Sequence, residues 1–196
     1  MSSPIVVYVD GACEPINPRG IATFGFVIIG GSGSNMKRDC DVVEGEEASN
    51  NVAEYTALIA ALRWLLDNGM VDVPVVVKSD SQLLANQMNG FYEVRAPRLI
   101  EVHRQATDIA LQFEGLKIVW IPREENRIAD ALSKDAYRRY MAEHPEVAES
   151  YSRYFATQKQ REFLTSLGVE LPPFTSKQEA SNIISSKLSE KRGGSS

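Results

Sequence analysis

The sequence predicts an α/β domain on a mixed sheet of about five strands, followed by a small helical extension. Residues 5–43 hold three β-rich runs separated only by Gly/Pro/Asn punctuation, the mark of an antiparallel meander. Later, the β-branched run Val73–Lys78 and the run Leu116–Ile121 each lead directly into helical patterning. Right-handed crossovers would add these strands parallel to the meander. The chain's 196 residues also exceed one ordinary domain of about 150 residues, which leaves a tail.

The strand runs are Ile5–Asp10, Ile21–Ile29 and Asn35–Val43, with turns at Pro15–Gly20 and Gly30–Ser34. Ser49-Asn50-Asn51 then stands before an Ala/Leu-rich helix through Ala53–Leu66, with Ser or Asn as the N-cap and Asn68-Gly69 as the stop. Val73–Lys78 has the unbroken apolar character of a central strand and runs into Ser79-Asp80-Ser81 and a helix from about Gln82. A helix follows Pro97, with Leu99, Val102, Ala106 and Ile109 at helical spacing; Leu116–Ile121 is a strand closed by Pro122. Glu125 to about Met141 is amphipathic through Ile128, Ala129, Leu132, Ala136 and Tyr140. These elements account for residues 1–142. In residues 143–192 three short helices are expected: one carrying Val147, Tyr151, Tyr154 and Phe155, one over Thr157–Leu167, and one opened by a capping box at Thr175-Ser176-Lys177-Gln178. Residues 193–196 are expected to fray.

Composition narrows the function classes. Hydrophobic residues are 43% and charged residues 24%, which excludes wholesale disorder and fibrous repeats. Runs such as Phe24–Ile29 fall far short of the roughly 18 residues that cross a bilayer, so no membrane association is expected. The N-terminus lacks signal-peptide architecture. Two cysteines, Cys13 and Cys40, and two histidines cannot build a disulfide framework or a standard zinc site, and a cytoplasmic setting is expected. Lys+Arg 21 against Asp+Glu 26 gives −5, the wrong sign for gripping nucleic acid by generic backbone neutralisation.

Four acidic residues fall where sites form in such sheets, at strand C-terminal ends and the adjoining helices. Asp10 ends the first strand, Glu54 lies near the start of the first helix, Asp80 ends the fourth strand, and Asp130 lies early in the helix after the last strand. Singly each has an ordinary explanation: a turn at Asp10-Gly11, a helix-dipole partner at Glu54, an N-cap at Asp80, a solvated charge at Asp130. Together they could converge, and carboxylates that converge need cations between them. An oxygen-only set points to a hard ion, Mg²⁺ or Mn²⁺.

Val7-Tyr8-Val9-Asp10-Gly11-Ala12-Cys13, Ser49-Asn50-Asn51-Val52-Ala53-Glu54-Tyr55, Lys78-Ser79-Asp80-Ser81-Gln82 and Asn126-Arg127-Ile128-Ala129-Asp130-Ala131-Leu132-Ser133 resemble, in order, the four motifs of type 1 ribonuclease H. The resemblance covers about 140 residues. It implies the ribonuclease H fold and cleavage of the RNA strand of RNA–DNA hybrids, leaving 5′-phosphate and 3′-hydroxyl ends. It also implies two Mg²⁺ ions, with Mn²⁺ as substitute. Asp10 would bridge both, Asp130 would hold the ion that activates water, and Glu54 and Asp80 the ion that stabilises the leaving oxygen. Gly11, Cys13, Asn17, Asn50, Asn51 and Gln82 map onto positions that read the 2′-hydroxyls of a hybrid minor groove through amides and backbone. Ser49 maps onto a phosphate-binding hydroxyl, and Phe91 onto an aromatic that packs on a deoxyribose, with core packing as the alternative for Phe91.

The sequence departs from the family in two places. Ile121-Pro122-Arg123-Glu124-Glu125 carries no His where many relatives place one, and Arg123 is the candidate replacement, contacting the scissile phosphate or escorting product. Phe91–Arg98 replaces the basic protrusion of several relatives, so grip should be weak and salt-sensitive. The remaining acidic excess at Asp39, Asp41, Glu44, Glu46 and Glu47 is expected to lie away from the hybrid. A monomer is expected, with the C-terminal extension either packing on the fold or contacting nucleic acid or protein. The other readings are a catalytically silent nucleic-acid-binding module on this fold and a nuclease acting on double-stranded RNA, DNA or DNA junctions.

Overall fold

The computed structural model describes residues 3–31, 33–43 and 49–193, with side chains through residue 190. Five strands, β1 (Ile5–Glu14), β2 (Ile21–Ile29), β3 (Asn35–Val42), β4 (Val75–Ser79) and β5 (Leu116–Trp120), form a sheet in the order β3-β2-β1-β4-β5. β2 and β3 pair antiparallel, with a register shift at Ile28/Ile29. β4 pairs parallel with both neighbours, Ile5 opposite Val75 and Val75 opposite Leu116. This is the mixed sheet the sequence implied, meander first and crossovers second.

Among the described residues seven α-helices accompany it: α1 (Asn50–Asp67), α2 (Gln82–Met88), α3 (Pro97–Ala110), α4 (Arg127–Glu143), α5 (Pro145–Tyr151), α6 (Gln158–Ser166) and α7 (Lys177–Gly193). α1 is the central one. Its residues Tyr55, Leu58, Leu62 and Leu65 are buried with Val7 and Val9 of β1 and Val75 and Val77 of β4. That burial, rather than a narrow apolar stripe, explains the Ala/Leu-rich composition, because α1 packs on the sheet on one side and against α3 and α2 on others. Ser49 caps it, its Oγ accepting from the Val52 N–H at 3.3 Å, and the chain leaves through Asn68 and the left-handed Gly69 (φ 68°). No helix among the described residues is long and apolar enough to cross a membrane.

The structure corrects four local expectations. β1 does not stop at Asp10 but continues to Glu14, so Asp10-Gly11 is strand and not turn. The glycine is there for space: a Cβ on Gly11 would sit 2.1 Å from the Glu54 backbone nitrogen, so α1 crosses directly over β1. The helix after Pro122 begins two residues later than Glu125, behind a 3₁₀ turn at Arg123–Glu125. Ser81, not Asp80, caps α2, and frees the Asp80 carboxylate for other contacts. In α7 the capping hydroxyl is Ser176, which accepts from Glu179 N–H, whereas Thr175 donates to the Pro172 carbonyl; the cap lies one residue beyond the expected one.

The chain divides into two compact units, Met1–Cys13 with Asn17–Tyr137, and Glu14–Ile16 with Arg138–Ser196. The second has its own small core of Ala156, Leu164 and Ala180 with Leu171, Ile183 and Ile184 packed on it. A capping box at Thr157/Gln160 starts α6, and the Gln160 amide also donates to Lys177 O and Ser181 Oγ, tying α6 to α7. Of residues 193–196 expected to fray, Gly193 is instead the last residue of α7, and 194–196 lie outside the described residues, as do Glu44, Glu46 and Glu47.

Candidate active site

Asp10, Glu54 and Asp80 each place a carboxylate oxygen within 4.8 Å of the other two. Three elements bring them together: β1 carries Asp10, α1 crosses β1 at Gly11 and so lowers Glu54 onto it, and β4, parallel beside β1, delivers Asp80 just past Ser79. Asp10 is 5% and Glu54 7% exposed. Glu54 is the fifth residue of α1, beyond the first turn, so the helix dipole does not account for it. Burial pushes the Asp10 carboxyl up from 3.8 to about 6, against the Ser133 hydrogen bond and with the help of Asp80 and Asp130. Burial likewise raises Glu54, and Asp10 and Asp80 add to it.

The supporting shell consists of residues to which the sequence motifs gave no role. Ser133 Oγ donates to Asp10 Oδ2 and lies 3.0 Å from the Asp130 carbonyl. The buried Asn126 amide donates to Asp80 Oδ1 at 2.6 Å and to the Val9 carbonyl at 2.9 Å, joining β4's end to β1. Ser79 Oγ donates to Glu54 Oε2 at 3.4 Å and accepts from Ser81 N–H at 3.0 Å. Trp120 Nε1–H donates to the Asp80 carbonyl at 3.2 Å. A second glycine sets α4: a Cβ on Gly25 would lie 2.6 Å from Ser133 N. The signal available in sequence was the i, i+3 spacing of Asp130 and Ser133 on one helix.

Asp130 stands outside the three-carboxylate group. Arg123 Nη2 donates to its Oδ1 at 2.7 Å and Lys134 Nζ pairs with its Oδ2 at 3.0 Å. The Arg123 guanidinium, although partly desolvated, is held more firmly protonated by Asp130, with Asp10 and Asp80 contributing at longer range. Arg123 is thus placed at the carboxylates, with 67% of its side chain exposed.

The candidate groove readers are distributed around this centre. Asn17 and Asn50 form a reciprocal pair, Asn17 Nδ2 donating to Asn50 Oδ1 at 2.8 Å and Asn50 N–H to Asn17 Oδ1 at 3.1 Å. Asn51 N–H also donates to Asn50 Oδ1, at 2.9 Å. Gln82 opens α2 with its side chain exposed. Gly11 and Cys13 can offer only main chain, since the Cys13 side chain packs on Ala22 and Ala53. Ser49 is 1% exposed with its hydroxyl turned to the α1 cap, so the structure assigns it a capping role in place of a surface phosphate contact. Phe91 is 76% exposed, which removes core packing as its explanation. Asp39 and Asp41 lie on the edge strand β3, separated from β1 by β2, and Asp39 pairs with Lys37 at 2.9 Å.

A family model described as reverse transcriptase-like matches residues 8–136. The LC11-RNase H1 structure, solved in complex with an RNA/DNA hybrid, shares 37% identity and a TM-score of 0.64, covering 70% of this chain and 99% of that one. This chain is a type 1 ribonuclease H family member. The ribonuclease HI of Halobacterium salinarum is 36% identical over 66% of this chain and 62% of its own length. The bifunctional protein Rv2228c of Mycobacterium tuberculosis is 36% identical over 67% of this chain, which spans only 35% of that protein. The ribonuclease H family is metal-dependent, and the Asp10–Glu54–Asp80 group is where this chain can hold an ion. The family match ends seven residues before the end of α4, so α5–α7 lie outside it.

Proposed function

We propose that this ribonuclease H hydrolyses the RNA strand of RNA–DNA hybrids with divalent cations, leaving 5′-phosphate and 3′-hydroxyl ends. The observation that carries the reading is the convergence of Asp10, Glu54 and Asp80 in a buried position where two of them are raised by burial and mutual repulsion. Such a set is unstable as three anions and is stabilised by a cation. Its donors are all carboxylate oxygens, which fits Mg²⁺, with Mn²⁺ as substitute, and not a softer metal. Asp10 would bridge two ions, Glu54 and Asp80 would complete one and Asp130 the other. Bound there, the pair would lower the pKa of the attacking water and neutralise the departing 3′ oxygen.

The chain's own residues orient these groups. Ser133 fixes the rotamer of Asp10, Asn126 that of Asp80, and Ser79 that of Glu54. Asn17, Asn50, Asn51 and Gln82, with the main chain at Gly11 and Cys13, read the 2′-hydroxyls; Phe91 offers its exposed ring to a deoxyribose. Arg123 contacts the scissile phosphate or escorts product as a permanent cation. The catalytic unit is read as residues 1–142, acting as a monomer in the cytoplasm, with residues 143–192 as an auxiliary or packing extension.

The test is cleavage of matched RNA–DNA hybrid, RNA duplex, DNA duplex and single strands in Mg²⁺ and in Mn²⁺, with Asp10→Asn as control. Hybrid-specific cleavage lost in Asp10→Asn is expected. Cleavage that ignores the hybrid or survives the substitution defeats the proposal. Deleting residues beyond 145 and measuring hybrid affinity and Tm separates the two roles of the extension.

A further inference from the structure

Asp130 differs from the other three carboxylates in what it faces. Asp10, Glu54 and Asp80 face one another, whereas each oxygen of Asp130 has a cation of its own, Arg123 at 2.7 Å on Oδ1 and Lys134 at 3.0 Å on Oδ2. The two cations come from different places. Lys134 lies one turn along α4, where helical spacing delivers an i, i+4 partner; Arg123 reaches back from the 3₁₀ turn that precedes the helix. The pair is not freely solvated, with Asp130 20% and Lys134 30% exposed, so the attraction is screened less than between open surface charges. A carboxylate with an ammonium on one oxygen and a guanidinium on the other is not an open ligand. A divalent ion that uses Asp130 must displace at least one of them.

We infer that Lys134 and Arg123 are resident counter-cations of Asp130 which a divalent ion must displace, so that Lys134 sets the cation concentration at which Asp130 becomes a ligand. The inference rests on the metal-ion reading above and adds an order to it. The Asp10–Glu54–Asp80 group, three carboxylates brought within 4.8 Å of one another with Asp10 and Glu54 buried, gains by taking an ion at once. Asp130 is already neutralised and gains less. The ion that includes Asp130 is therefore the weaker, and its affinity is set by residues that never touch it. Lys134 belongs to none of the sequence motifs that mark the carboxylates; only its distance to Asp130 brings it into the site.

The test is calorimetric titration of the full chain, without nucleic acid, by MnCl₂ and by MgCl₂, with thermal melts in parallel. The proteins are wild type, Lys134→Gln, Lys134→Arg, Asp130→Asn and the double variant Lys134→Gln/Asp130→Asn. Wild type is expected to bind one ion tightly and a second weakly. Lys134→Gln should tighten the second by about fivefold, the upper range for a partly exposed ion pair, or bring it into the measurable range, while the first is unchanged. Lys134→Arg should behave as wild type, and the double variant as Asp130→Asn, with no weak ion. The inference is overturned if Lys134→Gln leaves the second ion as it was or weakens it, or if the tightening persists without the Asp130 carboxylate. A wild-type chain that binds no divalent ion sinks the metal-ion reading itself, and this inference with it; one that binds ions but ignores Lys134 sinks only the inference.

Discussion

Ser133 donates its hydroxyl to Asp10 across 123 residues of sequence, joining α4 to the centre of β1 inside the core. The hydroxyl is fully buried, and the Ser133 carbonyl is itself held by Thr23 Oγ1 at 2.9 Å, so the donor cannot drift. Ser133→Ala removes the main interaction that favours the Asp10 anion, and the Asp10 carboxyl should rise further. The expected result is a loss of about tenfold in kcat/KM, partly restored by raising Mg²⁺, with about 1–2 kcal/mol lost in stability. Steady-state kinetics over a Mg²⁺ series with urea unfolding alongside checks both parts.

Asn126 makes a separate prediction. Its amide satisfies both the Val9 carbonyl and Asp80 Oδ1 from a fully buried position. Asn126→Leu keeps the branched heavy-atom shape but is bulkier, and it leaves both acceptors without their donor, at a cost of about 1–3 kcal/mol each with some overpacking added. Asn126→Asp should be at least as damaging at neutral pH, because it replaces the donor with a second anion 2.6 Å from Asp80. Urea midpoints of both variants with and without Mg²⁺ test this; an Asn126→Asp as stable as wild type would contradict it.

What the sequence made legible follows from the range of each interaction. The Ser49 cap and the Gly69 stop have local causes and are in the structure where composition and spacing place them, whereas the β4 strand expected over Val73–Lys78 runs from Val75 to Ser79, because Pro74 cannot donate to the ladder. Asp10-Gly11 misled because a strand glycine required by a helix backbone 43 residues away looks like a turn from its neighbours alone. The roles of Asn126 and Ser133 depend on contacts 117 and 123 residues distant, beyond any periodicity. The cap of α7 was ambiguous because Thr175 and Ser176 both suit the position chemically. The family motifs marked the carboxylates, but not that Asp130 is paired with two cations while the other three face each other.

Gly11 and Gly25 are the close approaches that seat α1 and α4, and they predict a graded substitution series. A Cβ at Gly11 would meet Glu54 N at 2.1 Å and Ala53 C at 2.4 Å, all backbone, so nothing flexible can yield. Gly11→Ala should cost about 3 kcal/mol or more and displace Glu54 from Asp10. Gly25→Ala meets Ser133 N at 2.6 Å and should behave similarly through α4. Gly168→Ala, at φ 76° with open space around it, should cost only about 1 kcal/mol of backbone strain and leave kcat intact. Thermal melts and kcat measured together distinguish the two kinds of glycine.

The raised Asp10 carboxyl makes stability depend on pH with a definite sign. Its folded-state value of about 6 exceeds the ordinary 3.8, so between these values the folded chain binds more protons than the unfolded one. Without divalent ions, stability should therefore fall as pH rises from about 4 to about 6 and stay lowered above that, by about 3 kcal/mol from Asp10. Glu54, raised by the same burial, acts in the same direction. Asp10→Asn has no charge to bury at this position, so in EDTA at pH 7 it should be more stable than wild type and show a flatter pH profile. Mg²⁺ should reverse the order, stabilising wild type more at pH 7.5 than at pH 5 and Asp10→Asn little at either. Urea midpoints across pH 4–8 in EDTA and in Mg²⁺ decide the matter, and a wild-type profile in EDTA that parallels Asp10→Asn would show that Asp10 carries no such penalty.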